Sequence, residues 1–391
     1  MKLRINAKDF GNAIAWVISR FDARDGQAYM AITVENTGHV HLTYANSTSL
    51  FKSPLAALEV DFSEEETDES YSIPVDGTYL KNFASVVKTI GAEELLFTKD
   101  LTKPGPLKVK ADKQNLTVPV FLTSVPAEPK LITLGEVNDQ EFFGTLQRLA
   151  KVCTSESEDT GAATGAVAVK LGEENLSFLA TDTYTIAETT LSYEPNAKKI
   201  AKFKENATND ETALIPKAAA LTVKPSKVAT DTVELVYEKE AGKFGYSFTD
   251  GRVALFSLDS STPLDITSLK ENLLEINESS VDLPLGELTR YLTSIGILNP
   301  SETDVEIEIG QKKVQIRDVQ NANVMSLKPS ASDFSDGETF TFFREVLLKS
   351  LSVLTSDAVR IFFGASPGVV IRPLDSDDLD ENFFVVAAVN A

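Results

Sequence analysis

Few residues in this chain have the types and spacing that chemistry requires. His39 and His41, the only histidines, lie two apart on one predicted strand face, the separation of a pair of metal ligands. No third histidine or cysteine lies at a useful spacing, and two ligands do not make a zinc site, so a solvated or packed pair is expected. Cys153 is the single cysteine and can form no internal disulfide, which fits a reducing compartment and a small buried apolar side chain. The acidic runs EVDFSEEETDES (59–70), SESED (155–159) and LDSDDLDEN (374–382) lack the spacing and central glycine of a calcium loop and read as solvated loop tips. No nucleophile elbow, phosphate loop or dinucleotide fingerprint occurs. The sequence therefore predicts no catalytic residue, no metal, no cofactor and no enzyme.

The elements that could position a binding site instead are organised by repetition. A chain of 391 residues implies roughly two to four domains. Three blocks superpose, each opening on an apolar-periodic helix: AKDFGNAIAWVISRF (7–21), NDQEFFGTLQRLAKVC (138–153) and LPLGELTRYLTSIGIL (283–298). Each continues as two alternating strands around a polar turn, the second block containing LATDTYTIAETTLSY (179–193). A strand running into a helix follows in each block, as SIPVDGTYLKNFASVVKTI (72–90), ALIPKAAALTVK (213–224) and ETFTFFREVLLKSLSVL (338–354), and then another strand pair. Three α+β domains are predicted, 1–133, 134–268 and 269–391, each with two helices and antiparallel sheets. No apolar run is long enough to span a bilayer, and the opening MKLRINAKDF has no signal-peptide core, so a cytoplasmic protein with no membrane partner is expected.

Charge separates these helices from the rest of the chain. The net charge is −21, from 37 Lys and Arg against 58 Asp and Glu, so a nucleic-acid partner requires a local basic face. Over windows 8–20, 78–90, 139–153, 216–227, 285–296 and 342–353 the sign inverts, to twelve basic and five acidic residues. The basic twelve are Lys8, Arg20, Lys81, Lys88, Arg148, Lys151, Lys217, Lys224, Lys227, Arg290, Arg344 and Lys349, suited to sequence-independent phosphate contacts.

In order and spacing, LATDTYTIA, ALIPKAAALTVK and SDAVRIFFGASPGVVIRPLD with ENFFVVAAVNA resemble segments of the bacterial DNA sliding clamp, the β subunit of polymerase III, and the likeness covers nearly the whole chain. It implies three repeated clamp domains, a head-to-tail homodimer closing into a ring, and double-stranded DNA threaded through the hole without sequence specificity. The ring would act as a processivity factor by topology alone. The basic count then makes Arg20, Lys81, Lys88, Arg148, Lys151, Lys224, Arg290 and Lys349 the expected DNA contacts, and the resemblance adds Arg24 at a basic loop position, while SESED occupies the matching loop of the second domain. It also implies a pocket for short peptides of DNA polymerase and the clamp loader, formed by Thr181, Thr183, Tyr184, Thr185, Ile186, Pro263, Leu269, Val385, Ala387 and Val389. Thr183 stands where the family usually has glycine, Thr185 where a basic residue is usual, and VAAVNA replaces Val-Met-Pro-Met-Arg-Leu, so a different or a weaker peptide preference is expected. The competing readings are a clamp-fold regulator or decoy, and a repeat-built structural or receptor-binding protein without a DNA role.

Overall fold

A computed structural model describes the chain apart from residues 19–28, 36, 63–69, 102, 121–127, 155–162, 205–211, 223, 226–230, 277, 302, 321–322, 336, 365–367, 375–383 and 389–391. Eight α-helices are present among the described residues: α1 Ala7–Ile18, α2 Gly77–Ile90, α3 Asp139–Ala150, α4 Ala197–Lys204, α5 Lys217–Ala220, α6 Thr267–Ile276, α7 Leu285–Leu298 and α8 Arg344–Leu351. Helices α1, α3, α5, α7 and α8 follow a strand without a break and α2 follows one after Asp76; the strand-to-helix unit predicted for the second half of each block is thus present in the first half as well. Side-chain caps make the sharp change of backbone direction in three cases. Asn6 accepts from the Lys8 and Asp9 amides at 2.9 and 3.2 Å, Asp76 from Tyr79 at 2.6 Å, and Asn138 from Glu141 at 3.1 Å. The repeat pattern does not supply α4 or α6, and α5 spans four residues where a longer helix is predicted.

Two compact units contain these elements, Met1–Glu136 with Asp231–Ser257 and Val137–Thr230 with Leu258–Ala391. In the first, a five-stranded sheet is ordered Ala57–Asp61, Lys2–Asn6, Glu94–Thr98, Leu107–Ala111 and Gln114–Val118. A larger sheet runs Leu131–Asn138, Thr232–Glu238, Lys243–Phe248, Val253–Ser257, Ser49–Leu55, Val40–Ala45, Tyr29–Val34 and Tyr71–Val75. Its seam between repeats is antiparallel, with Leu255 opposite Leu50 and Phe256 opposite Ser49.

In the second unit a nine-stranded sheet runs Thr212–Pro216, Ala166–Leu171, Asn175–Thr181, Thr185–Ser192, Phe384–Ala388, Gly368–Pro373, Ala358–Phe363, Ser279–Pro284 and Ala331–Ser332. Here too a repeat boundary is bridged by a ladder, Thr185 opposite Ala387 and Ala187 opposite Val385. The remaining four strands are ordered Val324–Leu327, Val314–Asp318, Asp304–Ile309 and Glu338–Phe343. Helix faces supply the cores: Leu288, Leu292 and Ile295 of α7 and Phe142, Leu146 and Leu149 of α3 are fully buried at helical spacing.

The histidines do not share an environment. His39 is exposed before the strand Val40–Ala45, whereas His41 is buried with Nδ1 3.4 Å from Glu35 and next to the Lys52–Glu128 ion pair. No cluster of three potential metal ligands exists among the described residues. Burial, reinforced by the Lys52 charge and opposed by Glu128 and Glu35, lowers the His41 pKa to about 4 from 6.5. A depressed folded-state pKa on a base means that the unfolded chain binds the extra proton first. The stability associated with neutral His41 is present above pH 6.5 and is lost as pH falls towards about 4. Chemical denaturation across that window is expected to show a loss of up to about 3 kcal/mol that His41→Gln flattens; an equally steep loss in the variant assigns it to other groups.

Candidate functional site

The turn that joins Asn175–Thr181 to Thr185–Ser192 is built on one carboxylate. Asp182 Oδ1 accepts from the amides of Tyr184 and Thr185 at 3.0 and 2.6 Å, and its own amide donates to Thr185 O at 3.1 Å. The first repeat makes the same turn with an amide side chain, Asn46 Oδ1 accepting from Thr48 and Ser49 at 3.1 and 2.7 Å. Thr183 is forced to φ +81°, a left-handed conformation that is strained for a β-branched residue. Its exposed side chain sits where the resemblance expects glycine.

This turn docks on α8 and on the strand residue before it through three interactions of different kinds. Lys349 pairs with the buried Asp182 carboxylate, Thr185 Oγ1 lies 3.3 Å from Ser350 Oγ, and the Tyr184 ring meets Phe343 edge-on at 6.3 Å. Tyr184 remains 55% exposed while Thr185 is fully buried. Lys349 is thereby committed to an internal anion. Removing one partner of such a pair leaves a buried charge uncompensated, a loss of about 3–5 kcal/mol.

Strand alternation divides the proposed pocket residues between two faces. Thr185, Ala387 and Val385 point to the α8 side, as core. The opposite face carries one cross-strand row, Thr181, Ile186, Val370 and Phe362, read from successive paired positions through residue 386. Ile186 packs there with Val370, with Ile266 of the preceding connector and with Leu273 of α6, and Leu179 and Phe362 flank them. Pro263 is half-buried, and Leu269 lies within α6. Val389 lies outside the described residues. The described members of this set therefore do not line one surface. Period-2 alternation is readable in the sequence and separates Thr185 from Ile186; α6, which supplies Leu273, is not.

The basic residues also divide. Lys8, Lys81, Lys88, Lys151, Lys224 and Arg290 are exposed. Four others are occupied within the protein. Arg148 donates to Thr355 Oγ1 at 3.1 Å and Thr145 Oγ1 at 3.4 Å, and Lys217 Nζ donates to Cys153 O at 2.7 Å. Arg344 is buried against Gly296 with Nη2 3.0 Å from Glu345, and Lys349 holds Asp182. A Cβ at position 296 would lie 2.6 Å from the Arg344 guanidinium carbon, so a larger residue there would displace that side chain. Arg20, Arg24, Lys227 and the SESED run lie outside the described residues. Cys153 is buried and its thiol is pushed up to about 12 by burial, the environment of an inert side chain.

Thr183→Gly should stabilise the protein by roughly 0.5–1 kcal/mol, because relief of left-handed strain slightly exceeds the added chain entropy of glycine. Thermal unfolding measures it, and a lowered midpoint would mean that the packing of Thr183 outweighs its strain.

At the level of sequence no family profile and no curated protein matches the chain. Solved structures do. The sliding clamp of Pseudomonas aeruginosa matches with a TM-score of 0.79 at 13% identity, over 100% of this chain and 99% of that one. That of Bacillus subtilis matches at 0.78 with 12% identity and the same coverage. The DNA polymerase III β subunit of Thermotoga maritima matches at 0.73 with 12% identity, again over 100% and 99%. At full length on both sides and with little shared sequence, the chain has the fold of the bacterial DNA polymerase III β sliding clamp.

Proposed function

We propose that this protein is a DNA sliding clamp, a non-catalytic processivity factor that closes into a ring on duplex DNA and tethers a polymerase through a peptide groove. The observation that carries the reading is the full-length likeness to clamps from three bacteria. The three repeated domains are 1–133, 134–268 and 269–391, and the working compartment is the cytoplasm. Among the described residues no helix is long and apolar enough to cross a membrane.

Ring closure follows from the two internal seams. In each, the strand after the polar turn pairs with the last strand of the next repeat, Ser49–Leu55 with Val253–Ser257 and Thr185–Ser192 with Phe384–Ala388. The same rule leaves the third repeat's Val324–Leu327 and the first repeat's Gln114–Val118 as sheet edges. Unpaired edges invite another chain. A second copy supplies the complement at both ends, so two chains close head to tail with six repeats. An apolar patch borders one of these edges, where α7 packs on Val324–Leu327: Ile297 is 73% exposed, Leu298 59% and Val324 51%.

A homodimer of twice the 42.5 kDa chain mass is expected by light scattering, and Ile297→Asp with Leu298→Asp should give folded monomer, since charges in an apolar interface cost several kcal/mol. A wild-type monomer at micromolar concentration would remove the ring.

DNA contact is assigned to the exposed cations. Charge reversal of Lys81, Lys88, Lys151 and Lys224 together should weaken retention on nicked circular DNA and lower the salt slope by about 0.9 for each phosphate no longer neutralised. Unchanged salt dependence would show that these residues do not face phosphate. Retention equal on circular and linearised DNA would favour the regulator or decoy reading instead.

A further inference from the structure

The first compact unit has an open cleft of about 540 Å³ between one face of α1, the end of Ser49–Leu55 and the turn that joins Lys243–Phe248 to Val253–Ser257. That turn fixes one arginine in the cleft. The Phe248 amide donates to Arg252 O at 2.9 Å across it, and Gly251 takes φ +84°, a left-handed conformation that favours glycine. Asp250 Oδ1 accepts from the Arg252 amide at 3.1 Å, and Arg252 Nε donates to Oδ1 and Oδ2 at 3.0 and 2.7 Å. The guanidinium carbon lies 4.5 Å from the centre of the Trp16 ring and 4.8 Å from that of Phe248, and these two rings meet edge-on at 5.5 Å.

Asp250 therefore occupies Nε while two rings hold the guanidinium. The terminal nitrogens, Nη1 and Nη2, make no hydrogen bond among the described residues, and the side chain is 33% exposed. A guanidinium fixed in this way is a bidentate receptor for one carboxylate or phosphate. The rest of the lining chooses between them. Asp9 and Asp250 are part of it, and Trp16 and Pro54 give it an apolar wall. A polyanionic backbone binds through successive cations and is repelled by neighbouring carboxylates. One carboxylate beside an aliphatic side chain matches both the fork and the wall.

We propose that this cleft is a docking site for a short partner segment that presents an aspartate or glutamate next to an aliphatic side chain. The carboxylate accepts from Arg252 Nη1 and Nη2, and the aliphatic group lies on Trp16 and Pro54. Because Asp250 and the rings already restrict the arginine, little side-chain freedom is lost on binding. Every lining residue belongs to one compact unit, so the site requires neither ring closure nor DNA.

Trp16 is the only tryptophan in the chain, and its emission reports on this cleft directly. Titrating the full-length protein with acetyl-Leu-Asp-Leu-amide should give a saturable change in that emission. Acetyl-Leu-Asn-Leu-amide keeps the shape without the charge and should bind roughly tenfold more weakly or worse. The same loss is expected for the aspartyl peptide on Arg252→Lys, which keeps a positive charge but not the fork. Acetate should compete only at much higher concentration, since it lacks the aliphatic contact. Equal binding of the two peptides, no saturable change with either, or unchanged binding by a folded Arg252→Lys protein overturns the proposal. Acetate as effective as the peptide removes the segment as ligand, and a short DNA duplex that alters Trp16 emission through Arg252 where the peptide does not assigns the arginine to phosphate. The peptide comparison uses wild type alone, so it is decisive even if the variant misfolds by circular dichroism.

Discussion

The antiparallel ladder between Thr185–Ser192 and Phe384–Ala388 is the constraint on which the candidate site depends. Backbone pairing across it satisfies groups that would otherwise form two exposed edges. Because side chains alternate along each strand, it also sorts Thr185, Val385 and Ala387 to the α8 face and Ile186 to the other. A one-residue slip would exchange those faces, bringing Thr185 to the apolar row and Ile186 against Ser350. Asp182 guards against this slip. Its carboxylate ties the turn amides while Lys349 anchors the turn to α8, so the register is held at its origin.

Much of this is legible in the residues. Apolar positions at helical spacing locate α1, α2, α3, α7 and α8, and the turn-centred alternations locate the paired strands, because both signals are local. Seam partners are not legible, since Ser49–Leu55 and Val253–Ser257 are joined by a pairing that no local pattern encodes. The two extra helices escape because repetition is the guide and neither has a counterpart in the other blocks. Side-chain type also overstates the set of exposed cations. Arg148, Lys217, Arg344 and Lys349 are basic residues on or beside helices, as charge counting requires, yet each has an internal acceptor or a buried place. Exposure, which composition cannot give, separates them from Lys81, Lys88, Lys151 and Lys224.

The turns show how one geometry is reached with different chemistry. Asn46 and Asp182 perform the same backbone task, but only at Asp182 does the turn's own side chain hold a lysine from the following repeat. The neutral version suffices where the neighbouring interaction is weak: Lys243 Nζ approaches Asn46 O at 3.3 Å. Repetition thus preserves backbone hydrogen bonding, while individual repeats vary the charge placed on it.

The first compact unit is discontinuous, taking Asp231–Ser257 from far along the chain to complete a sheet begun at Tyr29–Val34. During synthesis the strand Ser49–Leu55 emerges with one side open and stays so until its partner Val253–Ser257 has left the ribosome. At roughly 5–20 residues per second, a separation of about two hundred residues leaves the nascent edge uncovered for about ten to forty seconds. Pairings of such long sequence separation also form slowly once both strands exist. Vectorial synthesis therefore exposes this protein to misassembly in its first repeat, and an early companion that shields Ser49–Leu55 would matter more to its yield than to its final stability.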